Sequence, residues 1–422
     1  MNPVTYIKNK GIKRAIEVIC QYKIDILFQK ILTAVYKNRS LLDSIVIESH
    51  NDFDSNGGAF YDYLINNRYN EKYRIIWLLR NKAPKDLPKN VVCFKMHSPS
   101  IKKDYYIVNS KYILTCQDSI GAFRNGQKAY YLTHGAMALK NTKGNISVPN
   151  SMTYILAPSE YLLPIQANLL SITYPNDKQV ILGYPCHDAL HNIQYGEGDI
   201  KKVIAGKSNQ NSKMGQIQGF NKVIIWMPTF RKLKSGDRID SDVEFSMGVP
   251  ILKNIDEFHT LDERLAKTNV FLIIKIHPMQ DMDKIKIRST NNISILDGST
   301  VKELEIDNYR LMVDTDAMIT DYSSSGTDYL QTQKPLAYTV DDINEYKLGF
   351  IIENIQELMP GRKIYALEDL LAFVDDVVEG RDEYVKERRE VLEKMFKYYD
   401  GRSCQRLAEH MGIIRDYNCI ME

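Results

Sequence analysis

The sequence predicts an α/β chain made of two halves, each built on a parallel sheet with helical crossovers. Three observations predict it. Short runs rich in Val, Ile and Tyr recur along the chain, most of them separated by stretches able to form a helix. A segment of different composition, rich in Gly, Gln, Asn, Ser and Lys, interrupts that pattern between Gly196 and Phe220. Residues suited to holding an anion stand just past several of the apolar runs, where an α/β sheet binds its ligands.

The first 40 residues form a basic arm, in which Lys8, Lys10, Lys13, Arg14, Lys23, Lys30, Lys37 and Arg39 are opposed only by Glu17 and Asp25. Ile12, Ile16 and Ile19, then Ile24, Leu27, Phe28, Ile31 and Val35, recur at the helical period. Two readings are open for this pair of amphipathic helices: packing on the enzyme's own surface, or lying on an anionic membrane face.

From residue 41 to 195 a first sheet domain is expected, with strands at Ser44–Ile47, Arg74–Leu79, Asn90–Phe94, Tyr112–Thr115, Tyr130–Thr133, Tyr154–Ala157 and Val180–Leu182. Residues 196–220 read as an exposed linker. A second sheet domain follows over 221–395, with strands at Val223–Trp226, Val270–Ile274, Ile293–Leu296, Ala317–Thr320 and Leu336–Tyr338. The tail from Leu367 is charged and helical, and 396–422 form a last segment of their own.

Bulk composition supports this layout. At 422 residues the chain exceeds what one hydrophobic core usually serves, and 44% hydrophobic with 26% charged residues is a globular composition. A net charge of +2 argues against a nucleic-acid partner. The cysteines Cys20, Cys93, Cys116, Cys186, Cys404 and Cys419 are scattered without metal-ligand spacing, which fits a reduced, cytosolic compartment. No run approaches the roughly 20 apolar residues of a membrane span, and no signal core follows the early lysines.

The strand-end residues carry the chemistry. His134, Arg231 and His277 each follow an apolar run, and a further run ends in Thr320-Asp-Tyr-Ser-Ser-Ser325. Arg231, His277 and Ser323 recur at equal intervals, so all three are expected at one edge of one sheet, around one ligand. Arg231 offers a bidentate fork to phosphate. His277 suits donation to a phosphoryl oxygen or a leaving group, and a buried structural histidine fits the same local pattern. Ser323, Ser324 and Ser325 open a helix, where free N–H groups and hydroxyls favour an anion, although a single serine there is also an ordinary cap. His134, followed by Gly135, is placed to act as a general base. Asp314-Thr-Asp316 precedes its strand and reads as a helix-end and turn element, so no obligatory metal or cofactor is expected. P-loop and dinucleotide fingerprints are missing from the strand exits. Together these point to an enzyme that handles a nucleotide diphosphate.

Taken as an ordered set, several motifs resemble the CDP-glycerol glycerophosphotransferase family, the teichoic-acid primases and polymerases and their capsule relatives. They are Glu48-Ser49 with Asn56-Gly57, His134-Gly135 with Lys140, Gly183-Tyr-Pro185 with Asp188, Pro228-Thr-Phe-Arg231, Lys275-Ile-His-Pro278, Ile319-Thr-Asp-Tyr-Ser-Ser324 with Asp328, Lys334-Pro335 and Asp400-Gly-Arg-Ser403. The similarity runs from about residue 43 to 410. It implies a GT-B fold, two Rossmann-like domains facing a cleft with a last helix returning to the first. It also implies a peripheral protein of the cytoplasmic membrane face that takes an alditol phosphate from CDP-glycerol or CDP-ribitol and passes it to a lipid-linked or oligomeric acceptor, releasing CMP.

Carried onto this chain, the resemblance makes His134 the base and Arg231, His277, Ser323 and Ser324 the pyrophosphate clamp; His277 is expected to be catalytic as well, and Thr229, Lys275 and Ser325 to bind the donor phosphates. Gly135, Lys140, Asp188, Asp321, Asp328 and Glu48 go to the acceptor or cleft. Two departures bear on donor or acceptor identity: Cys186-His187 stands where family members often carry Arg-Asn, and Thr133 replaces a common tryptophan. Two rivals stay open, a GT-B glycosyltransferase using a nucleotide sugar and a non-catalytic nucleotide- or polymer-binding scaffold. The sequence does not choose the alditol or an oligomeric state.

Overall fold

The computed structural model describes residues 12–133, 135–191, 199–204, 219–231, 240–278 and 280–413. The chain divides into two compact units. The first takes Met1–Gly135, Lys143–Asp188 and Lys397–Glu422; the second takes Ala136–Thr142 and Ala189–Phe396.

The first unit is built on a parallel seven-stranded sheet in the order β3-β2-β1-β4-β5-β6-β7. Its strands are β1 Leu42–Glu48, β2 Arg74–Leu79, β3 Val91–Lys95, β4 Ser110–Thr115, β5 Lys128–Tyr131, β6 Tyr154–Ala157 and β7 Gln179–Ile181. Continuous apolar runs form the central strands because both faces are covered, as Ile45, Val46 and Ile47 in β1 and Ile75 through Leu78 in β2 show by being wholly buried. Val46, Ile76, Leu78, Ile113, Ala129 and Ile155 meet in one core.

The basic arm contributes one continuous helix, Ile12–Tyr36, where two were expected. Neither glycine nor proline interrupts that stretch, so nothing in it breaks the backbone ladder. Residues 1–11 lie outside the described residues. The helix packs on the helix Ile101–Asn109: Asp25 pairs with Lys103 at 2.7 Å, Gln29 donates to Asp104 at 2.9 Å, and Tyr36 meets the edge of Tyr105. Its other side leaves Ile24, Leu27, Ile31 and Val35 exposed.

The second unit holds a parallel six-stranded sheet in the order β10-β9-β8-β11-β12-β13. The strands are β8 Lys222–Trp226, β9 Val270–Lys275, β10 Ile293–Leu296, β11 Ala317–Thr320, β12 Leu336–Thr339 and β13 Arg362–Ile364. Every run expected to be a strand forms one; β13 is additional, too short and too polar to announce itself. Helix Ile255–Thr268 begins at Asn254, whose side chain accepts from the Glu257 N–H, and stops at left-handed Asn269. Its Leu261 and Leu265 pack with Leu370, Phe373 and Val374 of helix Leu367–Glu379 and with Ile224, Leu272 and Ile274 of the sheet. Of the expected linker 196–220, residues 199–204 are helical, and 196–198 and 205–218 fall outside the described residues.

Candidate active site

In the second sheet β9, β8 and β11 are adjacent and parallel, so their C-terminal ends lie side by side. The expected recurrence at one edge is therefore met: Lys275 and His277 follow β9, Thr229 and Arg231 follow β8, and Asp321 and Ser323 follow β11.

Lys275 ends β9 and is only 7% exposed, yet among the described residues its ammonium has neither a hydrogen-bond nor an ion-pair partner. Burial pulls it down to about 8. A buried cation without a counter-ion is unfavourable unless an anion completes it. Two residues on, His277 is half-buried, its ring 4.8 Å from that of Phe230.

Arg231 departs from its expectation. It is 5% exposed, and its fork is held by the protein's own carboxylates. Nε donates to Asp342 Oδ2 at 2.6 Å and Nη2 to Asp342 Oδ1 at 3.1 Å, while Nη1 donates to Asp321 Oδ2 at 2.7 Å and to Thr229 Oγ1 at 2.5 Å. The rings of Phe245, Tyr322 and Tyr346 surround it at 5.3 to 5.5 Å. Burial works against the charge, but the two carboxylates outweigh it and hold the guanidinium above its ordinary value. In this arrangement the fork of Arg231 is occupied by Asp321, Asp342 and Thr229. Thr229 is spent similarly, its N–H and hydroxyl both donating to Asp321 Oδ2. Asp321 Oδ2 thus gathers the bonds of this edge, while its Oδ1 is buried with no partner among the described residues.

The three serines divide their work. Ser323 Oγ accepts from the Ser325 N–H and lies 2.6 Å from Ser325 Oγ, so Ser323 caps the short helix Ser324–Tyr329. Ser323 and Ser324 are half-buried, and Ser325 is buried. Gly326 is required next, because a Cβ there would meet Thr320 Cγ2 at 2.6 Å. Asp328 accepts from the Ala136 N–H at 3.0 Å. Lys140 bridges antiparallel to Phe350, lies 3.6 Å from Asp240, and sits over the Phe230 ring at 5.4 Å. The Asp314/Asp316 pair lies at the opposite edge, where Asp316 takes Lys222 and the Val223 N–H.

In the first unit, His134 lies outside the described residues. The turn around it is described on both sides: Thr133 and Gly135 both have positive φ, and Thr133 Oγ1 donates to Gly135 O at 2.9 Å. Two residues expected at the cleft make defined contacts within this unit. Glu48 is wholly buried, its Oε2 accepting from the N–H groups of Cys116, Gln117 and Asp118 and its Oε1 pairing with Arg80 at 2.6 Å. Asp188 accepts from the Ser403 and Cys404 N–H groups, both at 2.8 Å, and so caps the helix Ser403–Met411. Gly183, at positive φ, faces Ser403, whose Oγ a Cβ would meet at 2.5 Å. Cys186 and His187, the departures noted above, are buried in this unit. Asp342 and Arg80 were missed by sequence reasoning, although both follow strands closely enough for the strand-end signal to have included them.

Comparison with known proteins identifies the family. A family model described as CDP-Glycerol:Poly(glycerophosphate) glycerophosphotransferase matches residues 29–411. The teichoic acid ribitol-phosphate polymerase TarL of Staphylococcus aureus is 26% identical over 302 residues, 68% of this chain and 48% of that protein. The teichoic acid glycerol-phosphate primase of Bacillus subtilis is 25% identical over 384 residues, 84% of this chain and 88% of that protein. The chain spans about half the length of the ribitol-phosphate polymerases it matches. Among solved structures, the wall teichoic acid polymerase TagF superposes with a TM-score of 0.70 at 18% identity over 98% of both chains, which shows the shared GT-B-like fold.

Proposed function

The chain belongs to the CDP-Glycerol:Poly(glycerophosphate) glycerophosphotransferase family, and from that premise we propose that it moves an alditol phosphate, glycerol phosphate or ribitol phosphate, from a CDP-linked donor to a hydroxyl of a lipid-linked or oligomeric acceptor. The observation that carries this reading is Lys275, a buried cation without a partner among the described residues, two residues before His277 at an edge shared with Ser323 and Ser324. A diphosphate supplies the missing anion.

The transfer is an in-line displacement. The acceptor oxygen forms a bond to the alditol-bearing phosphorus while His134 takes its proton, and the bond from that phosphorus to the bridging oxygen breaks. CMP leaves with the electron pair. Lys275, His277, Ser323 and Ser324 stabilise the charge gathering on the phosphate oxygens, with His277 donating to the leaving group. Arg231, Thr229 and Asp321 hold the loops that present them.

We also propose peripheral association with an anionic membrane surface on the cytoplasmic side. Exposed Ile24, Leu27, Ile31 and Val35 lie along one face of the helix Ile12–Tyr36, with exposed Lys23, Lys30 and Lys37 beside them. No helix among the described residues is long and apolar enough to cross a membrane.

The test is turnover. Purified protein given CDP-glycerol or CDP-ribitol and a lipid-linked acceptor is expected to release CMP and form a phosphodiester. Full activity of His134→Ala would remove the proposed base, and a product without phosphorus would favour sugar transfer.

A further inference from the structure

Asn56 sits in the first turn of the helix Ser55–Asn66 and is wholly buried. Its amide reaches three ways. Nδ2 donates to Leu132 O at 2.8 Å and to Thr133 O at 3.1 Å, and Oδ1 accepts from the Cys186 N–H at 3.1 Å. All the hydrogen-bonding directions that this side chain needs are therefore used. The two carbonyls it holds are those immediately before His134.

These carbonyls need a donor from outside the sheet. Strand β5 ends at Tyr131, so its ladder with β4 and β6 stops short of them. A carbonyl left unpaired in the interior costs about 1–3 kcal/mol. The turn is also strained: Thr133, a β-branched residue, holds φ at 58°, in a region whose use by such residues costs on the order of 1–3 kcal/mol and persists only where the surroundings enforce it. Asn56 bonds the carbonyls of Leu132 and Thr133, on either side of that strained Cα. Its own position is fixed by Gly57, where an added Cβ would already stand 3.3 Å from Glu48 O and 3.2 Å from Cys116 Sγ, so the helix start is pressed on the sheet.

We infer that Asn56 is a positioning residue for the turn that carries His134: by holding the Leu132 and Thr133 carbonyls it keeps the backbone at Thr133 in its left-handed conformation. This rests on the reading of His134 as the base. The amide, not the bulk, is what matters. Asn56→Asp keeps the shape and the bond from the Cys186 N–H but removes both donors.

The experiment is a double-mutant cycle on CMP release from CDP-glycerol, with melting temperature and donor KM measured for each variant. Asn56→Asp is expected to lower kcat by at least about tenfold, since misplacing a catalytic group by about 1 Å can cost 10²-fold, with donor KM within about twofold of wild type. On the His134→Ala background the same substitution is expected to change kcat by less than about twofold, because its effect passes through the imidazole. A further loss on that background as large as in the parent would overturn the inference. If Asn56→Asp does not fold, Asn56→Ser enters the same cycle, because it also withdraws the amide from both carbonyls. A kcat loss for Asn56→Ser, absent on the His134→Ala background, supports the inference; unchanged kcat overturns it. Failure of the His134 reading looks different, since His134→Ala alone would then keep its activity.

Discussion

Arg231 donates to Asp321 across 2.7 Å with almost no solvent access to either side chain, so two neighbouring strand ends of the second sheet are tied by a buried charge. Asp342 still balances Arg231 when Asp321 is replaced, so what is lost is the set of charge-assisted hydrogen bonds that Asp321 accepts from Arg231 and Thr229. Asp321→Asn is expected to destabilise the protein by about 1.5–3 kcal/mol, read as a lowered denaturation midpoint. Arg231→Lys should also destabilise it, because an ammonium cannot span Asp321 and Asp342 as the planar fork does.

Lys275 should behave in the opposite way. Lys275→Met removes an uncompensated buried charge, so the melting temperature is expected to hold or rise. Donor KM should increase by about tenfold or more, the scale of a charge-assisted hydrogen bond of about 1.5–3 kcal/mol. A lowered melting temperature with unchanged KM would show that the ammonium serves the fold alone.

The same lysine sets a pH dependence. It titrates near 8 here against 10.5 for a free side chain, so between those values the unfolded chain binds more protons than the native one and stability should rise with pH. Donor capture should move the other way. Donor kcat/KM is expected to fall as pH passes through about 8, and that limb should vanish in Lys275→Met.

Much of this site was legible in the sequence, and what was not has a physical reason. The apolar runs that form β8, β9 and β11 are continuous because both their faces are covered, and their spacing placed Arg231, His277 and Ser323 at one edge. What spacing cannot reveal is which polar groups satisfy one another in three dimensions. Arg231 looked like a phosphate fork because Asp342, more than a hundred residues away, gives no local sign that it will occupy it. The partners of Asp188 and Glu48 were hidden likewise, since a carboxylate that caps a helix and one that meets a ligand carry the same letter.

The N-terminal helix carries a second pH signal. Asp104 is buried, and burial pushes its carboxyl up to about 7, with Gln29 and Lys103 opposing and Asp25 adding to the shift. The native state then binds more protons than the unfolded chain between the ordinary carboxyl range and pH 7, so stability should fall as pH rises through that window and level off above it. Thermal melts across pH 4 to 8 check this. Asp104→Asn, which still accepts from Gln29, should flatten the curve.

Membrane attachment gives the last test. Binding of the protein to anionic vesicles should weaken as salt rises, because surface attraction is screened beyond roughly 10 Å at 0.1 M. Replacing Leu27, Ile31 and Val35 together by serine should weaken it further while the Asp25–Lys103 contact keeps the helix in place. Vesicle binding unaffected by that triple change would remove the helix as the attachment element.

The helix Ser403–Met411 is capped by Asp188, and Tyr112 of β4 donates to Met411 O at 2.7 Å. Its partners are synthesised early, yet it is translated after everything from Ala189 to Phe396. At roughly 5–20 residues per second on the ribosome, the nascent first sheet waits with an unfilled groove while the second half emerges and folds. A transcript cut between the two sheets would therefore yield an N-terminal fragment prone to capture by chaperones, and restoring the missing helix as a separate peptide is the direct route to rescuing it.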